Sequence, residues 1–179
     1  AADLDRLKAL DIGAVVDLRR PGERRDQPSR RPDGWARLVI EGGIDDGVEA
    51  PHITFLKTQD LTPASGRRFM QDVYRRLPFD AAHQDVFARY FQALADQDRP
   101  VVIHCAAGKD RTGFLAALTH HLLGVSRDDM VEDYLLTNVA VDLAGRAPSI
   151  ARQLHKMTGR VAADDAVVAF LGVEAAYLE

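Results

Sequence analysis

The chain has 179 residues, 46% of them hydrophobic and 28% charged, with a formal charge of −4. That length fits a single ordinary domain with a buried core, and the apolar share excludes intrinsic disorder. No apolar run approaches the roughly 18 residues of a membrane span, so stable membrane insertion is not expected. The negative balance argues against broad nucleic-acid binding and leaves room for a local basic site.

The opening segment, AADLDRLKAL, is charged and helix-like rather than like a secretion signal, and it has no initiator Met. A cytoplasmic protein, or one exported without a recognisable signal, is expected, and terminal segments beyond the given sequence have room to exist. Leu4, Leu7 and Leu10 recur at helical spacing, with Gly13 placed to end that helix. Ala14 to Leu18 reads as a short buried strand. A loop rich in Arg and Pro is expected from Arg19 to Asp33, then a second strand from Trp35 to Ile40. Glu41 to Pro51, acidic and glycine-rich, reads as a mobile loop.

Thr62 and Pro63 signal a helix start, and Pro78 a stop after Leu77. Asp80 is placed to cap a helix carrying Val86, Phe87, Tyr90, Phe91 and Leu94. Val101 to Ile103 forms an apolar strand that runs into His104 and Cys105. An apolar helix follows Arg111 and ends at Gly124; Ser126 caps another, with Asp129 at its third position. The rest reads as helix, broken near Pro148, Gly159 and Gly172. Strands alternating with helices predict one α/β domain over residues 1–179, a small, mainly parallel central sheet flanked by helices, with a helix-rich C-terminal half.

One cysteine excludes an internal disulfide framework, a multi-thiolate zinc site and a two-cysteine redox couple. Burial as a small apolar residue, or single-thiol chemistry, remains. The segment Val101-Val102-Ile103-His104-Cys105-Ala106-Ala107-Gly108-Lys109-Asp110-Arg111-Thr112-Gly113 decides between them. A strand ends, a turn follows, and a helix starts. Such a loop aims its backbone N–H groups inward above a helix N-terminus, which favours dianions and a thiolate. Gly108 allows a backbone angle that a β-carbon resists. Small Ala106 and Ala107 leave the bowl open, and the planar fork of Arg111 suits two phosphate oxygens.

His-Cys-five residues-Arg-Thr-Gly resembles the signature of the cysteine-based protein tyrosine phosphatase superfamily. CAAGKDRTG is similar to a narrower bacterial group of atypical tyrosine phosphatases with lipid-phosphatase-like loops, which includes a mycobacterial secreted enzyme. VVDLRRPGER resembles that group's DLR…E segment, FMQDVYRRLP its paired-helix region, VEDYLLTN its DYL…N stretch, and GVEAAYLE its C-terminal end. The resemblance implies a tyrosine-phosphatase-like fold and a metal-independent, cofactor-free hydrolysis in two steps. Cys105 would attack phosphorus and carry the phosphoryl group. Ala106, Ala107, Gly108, Lys109, Asp110 and Arg111 would hold the phosphate oxygens. Thr112 would donate to the departing thiolate, and His104 would support the loop from behind.

Aryl and alkyl leaving groups need a proton. The Trp-Pro-Asp loop that supplies it in many tyrosine phosphatases is absent; the single Trp is Trp35. Asp110, just before the signature Arg as in myotubularin-type lipid phosphatases, is the first candidate. Asp45 and Asp46 are the alternatives, and an Asp that positions water or pairs within the loop is a third reading. Lys109 reads as a contact to a polyanionic headgroup or as a solvated side chain. Asp17 and Arg19 read as a structural ion pair or cap beneath the site. Seven arginines between Arg19 and Arg37, against three acids, either draw anionic substrates or coat a solvated loop. Phe69, Tyr74, Phe87, Tyr90 and Phe91 have the spacing of helix cores; the resemblance implies that such helices also form a lid. His120 and His121, adjacent on a helix, face apart and do not suggest a metal pair.

The expected function is a phosphomonoester hydrolase on phosphorylated protein, with broad specificity and inorganic phosphate as product. The alternatives are a phosphoinositide or small-molecule phosphatase and an inactive phosphate-binding module. Thiol reductases of the arsenate type need further cysteines, and a rhodanese loop has no need of Arg111 and Thr112.

Overall fold

A computed structural model describes residues 2–43 and 49–179. The chain divides into two compact units, Ala1–Gly47 with Leu77–Leu115, and Val48–Arg76 with Ala116–Glu179.

The first unit is built on a three-stranded parallel sheet. Helix α1 (Ala2–Ala9) carries acids in its first turn and bases in its last, matching the helix dipole. The chain reverses at Asp11, which adopts a left-handed conformation (φ 49°) ahead of Gly13. Arg99 holds this corner, donating to Asp11 Oδ1 at 2.7 Å and to the Ile12 carbonyl at 2.9 Å. Gly13 donates to the Pro100 carbonyl at 2.8 Å, and a β-carbon there would sit 2.7 Å from Arg99 Cβ. Strand β1 (Ala14–Asp17) can therefore start alongside β3 (Val101–His104). Strand β2 (Val39–Glu41) lies on the other side, giving the order β2-β1-β3. Every residue of the central strand is buried, as its unbroken apolar run requires. Val16, Leu18, Val86, Phe87, Tyr90, Cys105 and Leu115 form the core against the sheet. Helix α5 (Ala81–Asp96) supplies three of them, and Asp80 caps it through the amides of Ala82 and His83.

The second unit is helical. Helix α3 (Pro51–Thr58), α4 (Pro63–Arg76), α7 (Arg127–Ala140), α8 (Leu143–Thr158) and α9 (Asp164–Leu171) surround Phe55, Leu56, Met70, Tyr74, Tyr134, Val167, Phe170 and Tyr177. Phe55 stacks on Phe69 with centroids 4.5 Å apart, and Tyr74 on Tyr177 at 4.6 Å. Gly66 lets α4 approach α9 closely: a β-carbon would lie 3.3 Å from Phe170 Cβ. Asn138 clamps the segment after α9, donating to the Val173 carbonyl and accepting from its amide, both at 2.9 Å. The Tyr134 hydroxyl donates to that of Tyr74. The DYL…N and GVEAAYLE stretches thus serve packing here. Helix α6 (Asp110–Leu122) begins in the first unit and ends in the second.

The α/β class, the parallel sheet and the helical C-terminal half agree with expectation. The caps at Thr62, Asp80 and Ser126 also form as expected, with Ser65 N–H on Thr62 Oγ1 at 3.1 Å and Asp129 N–H on Ser126 Oγ at 3.2 Å.

Four local expectations need correction. The Arg-rich loop contains helix α2 (Pro21–Asp26), started by Pro21 and by Glu23, whose carboxylate accepts from Arg20 N–H at 2.7 Å. Trp35–Leu38 is a 3₁₀ turn entered through left-handed Gly34, so the strand is only Val39–Glu41. Of the loop expected from Glu41 to Pro51, Glu41 ends β2, Pro51 opens helix α3, and residues 44–48 lie outside the described residues. Pro148 sits inside α8, where its missing N–H costs the helix one backbone hydrogen bond. The break falls instead at Asp142, left-handed at φ 42° and capping α8 through Gly145 N–H.

Candidate active site

The site is assembled within the first unit, at the carboxyl end of the sheet. Strand β3 ends at His104, and residues 105–109 turn before α6 starts at Asp110. Ala106, Ala107 and Gly108 are exposed at the turn, while Cys105 is 8% exposed. Gly108 adopts φ +68°, the left-handed region that favours glycine. That conformation brings its N–H onto Cys105 Sγ at 3.2 Å.

Burial pushes the Cys105 thiol up, but the neighbours outweigh it and the net direction is down. The Thr112 hydroxyl is the largest of these, followed by the Arg111 charge and the amides of Thr112 and Gly108. Thr112 Oγ1 is buried and has no partner at full hydrogen-bond geometry, so its contact with the sulfur is loose. A short hydroxyl rotation toward a thiolate would complete it. Folding thus favours the nucleophilic form of this thiol.

Arg111 is fixed before any ligand arrives. Its Nη1 donates to the Leu18 carbonyl at 2.9 Å and to Glu23 Oε2 at 2.7 Å; Nη2 donates to Glu23 Oε1 at 2.8 Å. Burial works against the Arg111 charge, yet the bidentate Glu23 and the charges of Cys105 and Asp110 raise its pKa. Glu23 is itself anchored by its cap bond at the start of α2. Its role was not read from the sequence, although Pro21 followed by a glutamate two residues on was the available signal.

The remaining expected residues are placed as follows. Lys109 is 7% exposed, and its Nζ lies 2.9 Å from Asp110 Oδ1, so its charge is turned onto Asp110. Asp110 occupies the first turn of α6 beside Arg111. His104 Nδ1 lies 3.4 Å from the Cys105 carbonyl. Asp45 and Asp46 lie outside the described residues.

Asp17 and Arg19 do form the ion pair, at 2.7 Å. Arg31 joins them, and Arg24 donates to the carbonyls of Arg19 and Gly42. These three arginines are therefore spent on structure rather than offered to solvent. His83, at the start of α5, has its pKa lowered by burial, with Arg111 and Arg20 adding to the effect against the pull of Asp80. Among the described residues no group of three or more His, Cys, Asp or Glu is arranged to hold a metal ion, and no helix is long and apolar enough to cross a membrane.

A parallel sheet whose last strand delivers a depressed thiol into a glycine-bearing turn, closed by a clamped arginine, defines a cysteine-phosphatase-like site. The chain belongs to the tyrosine phosphatase family, whose model matches residues 1–179. It is 35% identical over 182 residues to a provisionally named tyrosine-protein phosphatase of Cupriavidus necator, covering all of this chain and 62% of that one. It is 37% identical over 155 residues to the triple specificity protein phosphatase PtpB of Mycobacterium tuberculosis, covering 75% and 55%. A tyrosine-protein phosphatase of Nostoc commune matches at 31% over 139 residues, covering 76% and 44%. The chain thus spans about half the length of the curated relatives it matches.

Proposed function

We propose that this chain is a cysteine-dependent phosphomonoester hydrolase acting on phosphorylated protein, phosphotyrosine first, with broad specificity. The observation that carries the reading is the pairing of a thiol held below its ordinary pKa with an arginine clamped at the other end of the same turn. An inert phosphate-binding module has no need to favour the thiolate.

In the proposed reaction the Cys105 thiolate attacks phosphorus. The ester oxygen leaves and takes a proton, from Asp110 in this reading. Loop amides and Arg111 carry the charge that spreads over the equatorial oxygens. Water, giving a proton back to the Asp110 carboxylate, then displaces the sulfur, inorganic phosphate leaves, and Thr112 donates to the reforming thiolate. No metal or cofactor has a step here, since the loop supplies the positive charge.

The name of the mycobacterial relative supports broad specificity. The narrower phosphoinositide reading needs the Lys109 charge at a headgroup, whereas Lys109 is buried against Asp110.

The test is p-nitrophenyl phosphate turnover by the unmodified chain, Cys105→Ser and Asp110→Asn, followed by phosphotyrosine peptides against phosphatidylinositol phosphates. Cys105→Ser is expected to lose on the order of 10⁴-fold or more in turnover while still binding phosphate. Activity near that of the unmodified chain would sink the covalent route. Asp110→Asn should slow alkyl phosphates more than aryl ones, because a poorer leaving group depends more on its proton. Equal slowing would move Asp110 to a positioning role.

A further inference from the structure

Asp17 is 0% exposed, at the carboxyl end of the central strand. In the β1–β3 register it stands directly opposite His104. Its Oδ2 lies 3.6 Å from His104 Nε2, while Nδ1 of the same ring lies 3.4 Å from the Cys105 carbonyl. One imidazole thus spans from a buried carboxylate to the backbone of the nucleophile.

The carboxylate itself is immobilised. Its Oδ1 accepts from Arg19 N at 3.1 Å and Arg19 Nε at 2.9 Å. Its Oδ2 accepts from Arg19 Nη2 at 2.7 Å and Arg31 Nη2 at 2.8 Å. Arg19 also donates to the Gln27 carbonyl and Ser29 Oγ, both at 2.7 Å. Burial works against the Asp17 charge, but Arg19 and His104 outweigh it and the carboxyl stays ionised to lower pH than usual.

A buried ion cluster is an expensive way to close a loop; apolar packing would serve at least as well. What the cluster supplies is orientation. The second torsion of a histidine is soft, and a fixed carboxylate charge 3.6 Å from one ring nitrogen biases its rotation.

We infer that Asp17 is a positioning residue: it sets the rotation of His104, and through His104 the carbonyl of Cys105 and the placement of the sulfur in its loop. Arg19 and Arg31 hold the carboxylate in place for that purpose. The inference rests on the reading of Cys105 as nucleophile only for its catalytic consequence.

Its test does not need turnover. Cys105 is the single cysteine of the chain, so alkylation by iodoacetamide reports on that sulfur alone. The rate is measured at one pH for the full chain, Asp17→Asn, His104→Gln and the double variant, each with a thermal melt. Each single variant is expected to slow alkylation about tenfold, the loss of one charge-assisted contact. The double variant should be no slower than the slower single, because one residue acts through the other. Additive slowing, or an Asp17→Asn rate equal to that of the unmodified chain, would overturn the inference.

If Asp17→Asn melts below the assay temperature, His104→Phe replaces it. That variant keeps a ring and the Asp17–Arg19 pair but removes both ring nitrogens. An unchanged rate there overturns the inference, since Asp17 acts on the sulfur only through that ring. A chain that shows the predicted coupling in alkylation yet no phosphatase turnover would refute the proposed function and leave the positioning role standing.

Discussion

In the unit that carries Cys105, Asp17 is as buried as Val16 and Leu115, all three at 0% exposure. In the other unit the most buried residues are Ala147, Ala166 and Val167, wrapped in phenylalanine and tyrosine rings. The first unit sets paired charges, Asp17 with Arg19 and Arg31, and Glu23 with Arg111, beside its apolar core against the sheet. The other is organised by stacked rings. Apolar contact is non-directional and stabilises by area. Charge pairs contribute little net stability once desolvation is counted, but they fix direction. Placing the proposed nucleophile, Cys105, and the proposed anion clamp, Arg111, is a problem of direction, and the ions are found beside these two residues.

The sharpest way to break this contrast is to damage each interior in turn. Phe170→Ala removes a ring that stacks 5.7 Å from Phe55, and is expected to cost about 3–5 kcal/mol of stability. Alkylation of Cys105 in the folded fraction should be unchanged. If residues 1–179 behave as one cooperative domain, Trp35 fluorescence and far-ultraviolet circular dichroism will shift together on denaturation. Two separate transitions would divide the chain into independently folding parts.

Arg111→Lys is the complementary change. It keeps a charge near Glu23 and should cost only about 1 kcal/mol of stability. Losing the planar fork should cut turnover on p-nitrophenyl phosphate by about 10²–10³-fold. A large stability loss with little effect on turnover would reverse the assignment of roles.

Much of the site was legible in the sequence because its parts are contiguous. Cys105 and Gly108 fall on one turn, Arg111 and Thr112 on the first turn of the helix that follows it, and strand-turn-helix spacing sets their placement. Glu23 was not legible as a partner because it lies 88 positions from Arg111, and spacing carries no distance at that range. The Asp17–Arg19 pair was readable, but Arg24 and Arg31 read as solvated or substrate-attracting, since arginine is usually exposed; a buried carboxylate and backbone carbonyls turned them inward. Lys109 was open between ligand contact and solvent, and its pairing was readable only from the side of Asp110, as an acid that pairs within the loop. For the fold, strands, caps and amphipathic helices were readable. The short helix α2 was hidden by the Arg and Pro content of its segment, and the site of the α7–α8 break by a proline that the helix tolerates.

The smallest expected effect probes the loosest contact in the charged interior. Thr112 is the largest of the influences that lower the Cys105 pKa, although its hydroxyl lacks full hydrogen-bond geometry. Thr112→Ala should therefore move the alkylation midpoint up toward the ordinary thiol range. At neutral pH alkylation should slow roughly two- to tenfold, the worth of one hydrogen bond. The same linkage acts on stability. Because the folded thiol has the lower pKa, its contribution is complete above the unfolded value of 9.0 and disappears as pH falls through the folded value. Within that window the unmodified chain should gain stability with rising pH, and Thr112→Ala should gain less. An alkylation midpoint unmoved by Thr112→Ala would leave the Arg111 charge and the loop amides as the agents that activate Cys105.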